Sequence, residues 1–560
     1  MPLLAGRPIQ NLALAIGATL AVLLACEGVA RLFLPPPRYH REPVAFDPLL
    51  GFRGIPGHRQ EGVDELGRYA IELNAQGLRG REIPAEPEPA PEGALRVVFV
   101  GDSFLVGQAV REEQLVTSLV EAGLRSRGRE AEVYNLSGID WGTAQELLAL
   151  RALGRPLVPD AVVLFVYPAN DWINNSMLLA GRTTVSAGDA IRPYLVPEGG
   201  ELRLRHLDPL RAFLRGHSRL FAVLERRVLA TTAGRTPASE DAGARLREGR
   251  APREDLELFR SHDPGDRWEQ AWGTSLELLR AFRDECTALG ARLLVVVVPS
   301  VHQVVVTPKA IGLDVTVRLA RRRPLDALLD WDLPERRLAA FFAAERIESL
   351  LLLRPLREGA RRGGRVYARD EHLASLGHKI AAAPIVDWIL SERPAGGSAL
   401  PELGSGPVAL LPDAATAPAL LDFHEDRHQD YLGDGWISWG PTTGGGGAWL
   451  IGPSALAVLP LRDGDLVLRG WAPREARFPI EGQIAVVGGP RHPIRIEEPG
   501  RFVLRYPGST RDARAWPTAG GYLALVLAPG ETHRAGPVPG GFYVEALGFE
   551  AAPVREADGG

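Results

Sequence analysis

Leu95-Arg96-Val97-Val98-Phe99-Val100-Gly101-Asp102-Ser103-Phe104 is an apolar, β-branched run that ends in Gly-Asp-Ser, and a helix-like segment follows from about Glu112. The pattern predicts a buried parallel strand, a tight turn and then a helix. A serine in that turn sits at the carboxyl end of a central strand, where open α/β sheets place their ligand sites. Its amide faces the start of the next helix, where unpaired N–H groups and the dipole favour an oxyanion. Gly-Asp-Ser alone recurs by chance, and a plain helix cap at a strand–helix turn would use the same residues.

Three later segments add to it. Tyr134-Asn135-Leu136-Ser137-Gly138-Ile139-Asp140-Trp141-Gly142-Thr143-Ala144-Gln145 follows a short strand and opens a helix. Val162-Val163-Leu164-Phe165-Val166-Tyr167-Pro168-Ala169-Asn170-Asp171 is another buried strand, ending in Asn-Asp. Tyr367-Ala368-Arg369-Asp370-Glu371-His372-Leu373-Ala374-Ser375-Leu376-Gly377-His378 carries an acid two residues before a histidine. In order and spacing these resemble the four signature blocks of the SGNH (GDSL-like) hydrolases, and Glu72 to Gly80 resembles the lead-in of bacterial members. The resemblance spans about Asp47 to Leu390.

Composition bounds the rest. The chain has 560 residues, room for several domains with their own cores. A formal net charge of −5 suggests no nucleic-acid role. Charged residues at 24% and hydrophobic ones at 45% describe ordinary globular material. Only Cys26 and Cys286 are cysteines, which excludes a disulfide framework and a cysteine-based metal site.

Residues 1–37 predict a membrane anchor: Leu12 to Cys26 is uncharged and nearly continuously apolar, and Ile9 to Leu34 is long enough to span with its ends in the interface. Leu23-Leu24-Ala25-Cys26 also resembles a lipoprotein cleavage box. With the resemblance, this implies a bacterial inner-membrane protein whose catalytic domain faces the periplasm or exterior. A lead-in segment occupies residues 38–95, and strands alternating with helices over residues 96–390 predict α/β class, a doubly wound parallel sheet. Strand candidates are Arg96–Val100, Ala131–Leu136, Ala161–Tyr167, Arg292–Val298 and Ser349–Leu353; the resemblance makes the fold flavodoxin-like. Trp268, Trp272, Leu276 and Leu279 fall at helical spacing, so Trp268–Leu289 reads as an amphipathic helix with core tryptophans. Residues 174–266 fit the alternation poorly and read as an insertion, either capping the site or running over the surface. A linker covers residues 391–407. Residues 408–560 show short alternating runs between Gly, Pro and Asp, which predict an antiparallel β-sandwich. That pattern looks like the carbohydrate-binding modules attached to carbohydrate-active enzymes, with Trp436, Trp439, Trp449, Trp471 and Trp516 as rings.

Ester cleavage needs a nucleophile, a base, an acid that orients the base, and donors for the oxyanion. Ser103 is the candidate nucleophile, His372 the base and Asp370 its orienting acid, the offset of two on an extended loop letting both side chains point the same way. Glu371 and His378 are the substitutes if the register slips. By the resemblance, Asn170 and the Ser103 amide donate to the oxyanion, and a third donor comes from the backbone of a glycine. That position here is Asp140, whose carboxylate should repel an oxyanion unless it turns away. The glycine usual two residues before the block-three asparagine is Pro168. No cofactor and no metal are implied. His424-Glu425-Asp426-Arg427-His428 literally fits H-E-x-x-H, but it is a short segment between a proline-rich linker and Gly433-Asp434-Gly435, and reads as a solvated loop.

These residues describe a membrane-tethered esterase or O-acyltransferase acting through an acyl-serine, with O-acetyl groups on a polysaccharide as the expected substrate. The architecture also resembles alginate-type acetyltransferases. The competing reading is a glycan-binding or assembly protein with an SGNH fold whose activity is lost, motivated by Asp140 and Pro168.

Overall fold

The computed structural model describes residues 7–33, 38–39, 44–64, 67–87, 93–179, 191–225, 254–259, 265–306, 329–368, 370–391, 407–409, 414–423, 431–432, 436–439, 447–450, 455–474, 478–506, 518–519, 521–529 and 542–550. Five parallel strands form the central sheet: β1 Leu95–Gly101, β2 Ala131–Ser137, β3 Ala161–Val166, β4 Arg292–Val297 and β5 Glu348–Leu351. Their spatial order is 2-1-3-4-5, the doubly wound order that reverses between β1 and β3. Val97 pairs with Val133 on one side and Ala161 on the other, and Val297 pairs with Leu351.

Both faces of the sheet are covered because successive side chains on a strand point to opposite sides. Val98 and Val100 of β1, Val162, Leu164 and Val166 of β3, and Val295 and Val297 of β4 pack with helices Thr143–Ala149, Asp266–Leu289 and Leu333–Glu345. Val97, Phe99, Val163, Phe165, Leu294 and Val296 pack on the other side with helices Val116–Ser126, Leu353–Arg361 and Ser375–Leu390. Each fully buried valine or leucine contributes roughly 1.5–3 kcal/mol, which is why these strands read as unbroken apolar runs rather than alternating ones. Trp268 and Trp272 are buried in this core, as their spacing predicts.

The lead-in folds as antiparallel pairs, Val44–Asp47 with Gly51–Gly54 and Arg59–Asp64 with Gly67–Glu72. It is tied to the loops that leave β1 and β2. The buried Arg79 donates to the carbonyls of Val106 (2.7 Å), Gly107 (2.5 Å) and Val110 (2.9 Å), and pairs with Glu112 at 2.8 Å. Phe52 O accepts from Trp141 Nε1 at 2.9 Å, and Leu50 O from Gln145 Nε2 at 2.7 Å. The insertion contributes a hairpin, Tyr194–Glu198 with Glu201–Arg205, and a helix, Pro209–His217.

The stretch read as a membrane anchor is helical. Arg7–Phe33 is one helix of 27 residues, but among the described residues no helix is long and apolar enough to cross a membrane. In the last turns of this helix Glu27 and Arg31 face protein. Glu27 accepts from Ser218 Oγ (2.8 Å) and from the amides of Arg219 and Leu220 (each 2.9 Å), while Arg31 donates to the carbonyl of His217 at 2.6 Å.

The C-terminal strands form two antiparallel sheets. In one, Trp436–Trp439, Gly447–Leu450, Tyr543–Glu550, Asp465–Ala472 and Gly500–Tyr506 lie in that order, with Leu420–Asp422 also paired to Tyr543–Glu550; in the other, Ala455–Pro460, Tyr522–Pro529, Ile480–Val486 and Arg491–Ile496 do. Leu466, Leu468, Val544 and Leu547 from the first share a core with Val458, Leu523, Leu525 and Ile484 from the second, which is a sandwich. The strand Arg491–Ile496 was not expected from the sequence, since Pro493 demotes such a run. It occupies the sheet edge, where a missing N–H is tolerated. Residues 424–428, with the H-E-x-x-H pattern, and Trp516 lie outside the described residues.

Candidate active site

Gly101 ends β1, and a Cβ there would lie 2.9 Å from Leu105 Cδ1 and 3.0 Å from Phe165 Cβ. Glycine is therefore what lets Leu105 and Phe165 pack against the end of the strand, where the short helix Ser103–Val106 begins. Asp102 caps that helix, its carboxylate accepting from Phe104 N at 2.9 Å. Ser103 is thereby held at the carboxyl end of the strand beside the sheet's switch point.

His372 arrives from the far end of the domain. Its Nε2 lies 2.8 Å from Ser103 Oγ, and its Nδ1 lies 3.2 Å from Asp370 Oδ2. This second contact is an ion-pair approach rather than an aligned hydrogen bond, and such contacts tighten when substrate is bound. The loop that carries the pair is a tight turn, not the extended segment expected. Ala368 N donates to His372 O at 2.8 Å, Asp370 Oδ1 accepts from His372 N at 3.2 Å, and Glu371 stands between them at φ 67°. Left-handed backbone costs a non-glycine residue roughly 1–2 kcal/mol, a strain of the kind found at functional sites. The imidazole also packs on Phe104, ring centroids 5.0 Å apart.

Burial works against a charged His372, but the Asp370 carboxylate, followed by Asp102 and Glu371, outweighs it and raises the imidazole above its ordinary value. His378 is different. It is fully buried in the helix Ser375–Leu390, and burial together with the nearby Arg79 and His372 pushes it down to about 3. Fully buried and so weakly basic, its ring is a poor proton acceptor and does not substitute for His372.

Asn170 sits in the short helix Pro168–Asn174 that leaves β3, with Pro168 in the first turn, where a missing N–H costs nothing. The unusual proline is thus accommodated by the helix start. Asn170 acts to lower the Asp102 carboxyl, against the larger upward push of burial. Asp140 stands at φ 60° in the loop after β2, a conformation glycine adopts freely. Its carboxylate turns to Arg192, Oδ2 to Nη2 at 2.8 Å, and Asn174 Nδ2 donates to Oδ1 at 3.1 Å. Two flanking glycines are sterically required: a Cβ on Gly138 would run into the Trp141 ring, and one on Gly142 would lie 2.8 Å from Asn174 Cβ.

Three carboxyl groups lie buried behind the serine, a feature sequence reading missed because the residues are far apart in the chain. Asp102, Glu146 and Asp171 are each at most 1% exposed. Burial pushes Asp102 up to about 6. Burial, then the neighbouring carboxylates, raises Glu146 and Asp171 well above the usual range. A carboxyl that folding makes harder to ionise stabilises the fold at low pH, and that stability is lost as pH rises through its folded pKa. Asp102 contributes such a loss between about 4 and about 6, and Glu146 and Asp171 extend it upward. Holding a carboxylate charged costs about 1.4 kcal/mol for each pH unit between the unfolded and folded pKa. Glu146→Gln is therefore expected to raise the thermal midpoint more at about pH 8 than at about pH 4. Equal shifts at both pH values would show that Glu146 is not held neutral by the fold.

Among the described residues no group of three or more His, Cys, Asp or Glu is arranged to hold a metal ion. No protein-family model matches the chain, and no curated protein matches it in sequence. Solved structures do. A two-domain esterase active on acetylated mannans is 11% identical with a TM-score of 0.25, covering 82% of this chain and 92% of its own. An acetyl xylan esterase is 11% identical with a TM-score of 0.27, covering 53% and 100%. A lipase/acylhydrolase from Enterococcus faecalis is 14% identical with a TM-score of 0.24, covering 53% and 95%. Likenesses this distant carry no argument about chemistry, which rests on the side chains just described.

Proposed function

We propose that the chain is a serine ester hydrolase of SGNH type, with Ser103 as nucleophile, His372 as base and Asp370 as the acid that orients it. The observation that carries this reading is the 2.8 Å contact between Ser103 Oγ and His372 Nε2, with a carboxylate on the opposite ring nitrogen. His372 Nε2 takes the serine proton as Oγ attacks the ester carbonyl. The tetrahedral intermediate then collapses, and the imidazolium returns the proton to the leaving alcohol. Water, deprotonated by the same nitrogen, releases the acid and restores the serine. Asp370 stabilises the imidazolium in both halves. The oxyanion donors are the Ser103 and Asp140 amides and the Asn170 side chain. The alternative of an inactive binding protein is disfavoured by this intact relay, and by Asp140, whose carboxylate is already occupied.

The substrate proposed is an O-acetyl ester on a saccharide, with the C-terminal sandwich holding the glycan. Sugars present apolar faces, which bind aromatic rings. Trp471 stands 38% exposed on the strand Asp465–Ala472, while the side chains of Trp436, Trp439 and Trp449 lie outside the described residues. The full chain is expected to release acetate from acetylated polysaccharides, measured by chromatography, and to be retarded in a gel containing the same polymer. Trp471→Ala should weaken the retardation and spare hydrolysis of an aryl acetate. Transfer of acetyl to a second sugar instead of release, seen by mass spectrometry, would make the enzyme an acyltransferase. No retardation by any polymer tried would remove the sandwich from substrate binding.

A further inference from the structure

Asp140 is an odd residue for its place. It is not glycine, it stands at φ 60°, and it brings a negative charge to the loop proposed to donate to an oxyanion. What holds it comes from outside the sheet. Arg192 precedes the insertion hairpin, and its side chain is 1% exposed. Nη1 donates to the carbonyl of Asp140 at 2.6 Å and to Gln145 Oε1 at 2.5 Å, and Nη2 pairs with Asp140 Oδ2 at 2.8 Å. One guanidinium therefore grips both the backbone and the carboxylate of the same residue. The fork is itself seated, its carbon 5.2 Å from the centre of the Phe52 ring. Gln145, which shares the fork, donates to Leu50 O at 2.7 Å.

We propose that Arg192 is a positioning residue for ester hydrolysis: it locks Asp140 in the left-handed conformation that presents the backbone donor, and it turns the carboxylate away from the developing oxyanion. This rests on the proposed hydrolase reading. A planar guanidinium suits the task because it satisfies two acceptors with fixed geometry and stays charged at any working pH. It also explains how a carboxylate can occupy the glycine position at all. The insertion, by this route, is a structural part of the active site.

The test is a small cycle of full-length variants, each verified as folded by circular dichroism and thermal melting. Arg192→Met is expected to lower kcat on an aryl acetate roughly ten- to a hundredfold with KM little changed, as when one oxyanion donor is misplaced. Adding Asp140→Gly to it removes the charge and lets the loop adopt the left-handed backbone unaided, so most of the lost kcat should return. An unchanged kcat in Arg192→Met overturns the proposal. So does a double variant as slow as the single one, because Arg192 would then act only by supporting the fold. A crystal structure of Arg192→Met supplies a readout free of turnover: residue 140 should leave the left-handed region, and an undisturbed residue 140 counts against the proposal even if the chain hydrolyses no ester. Absence of serine-dependent hydrolysis in the unaltered protein would instead refute the hydrolase reading.

Discussion

Ser103→Ala is expected to lower kcat on a small aryl acetate by about a thousandfold or more and to abolish covalent labelling by a fluorophosphonate. The nucleophile cannot be bypassed, because water attacking directly would have no covalent intermediate to divide the barrier. The fold should survive. The Ser103 side chain sits at a helix start whose cap is made by Asp102, not by itself, and its hydroxyl meets His372 Nε2. Some residual rate should persist, since the oxyanion donors and the binding cleft remain. Undiminished turnover or labelling in the pure variant would remove Ser103 from the chemistry.

The second large effect concerns the base. His372→Gln is expected to cost on the order of a thousandfold or more in kcat, because glutamine cannot accept the serine proton. His378→Gln should be nearly neutral for kcat. Its ring lies fully buried in the helix and is held neutral to about pH 3. The pH profile carries a further check. Only a neutral His372 can act as base, and the Asp370 carboxylate raises its pKa against burial, so kcat/KM should fall as pH drops through a value above the ordinary ~6.5. Asp370→Asn removes the charge that raises it and should move this acid limb to lower pH as well as reducing the rate. An acid limb that stays in place would separate Asp370 from the base.

Much of this was legible in the chain. Runs such as Val97–Val100 and Val162–Val166 are buried on both faces, so they carry no competing polar pattern, and their alternation with helices leads to a parallel sheet. Ser103 was legible because a strand ending in Gly-Asp-Ser before a helix leaves little choice of where the side chain emerges. The edge strand Arg491–Ile496 was not, since a proline within a run is ambiguous until the sheet edge is known. Nor were the partners of Glu27 and Arg31 in the first helix, which lie 186 to 193 residues away.

The sequence by itself determined the layered architecture and the residue types available for the chemistry, because hydrophobic periodicity and glycine turns act over a few residues. Only the tertiary structure decided how Asp140 could stand in a glycine's place, which histidine faces Ser103, and that Asp102, Glu146 and Asp171 share one buried space. Those outcomes depend on charges and donors brought together from distant parts of the chain. Burial and electrostatic coupling act through space, and no local pattern encodes which partners folding will place within reach.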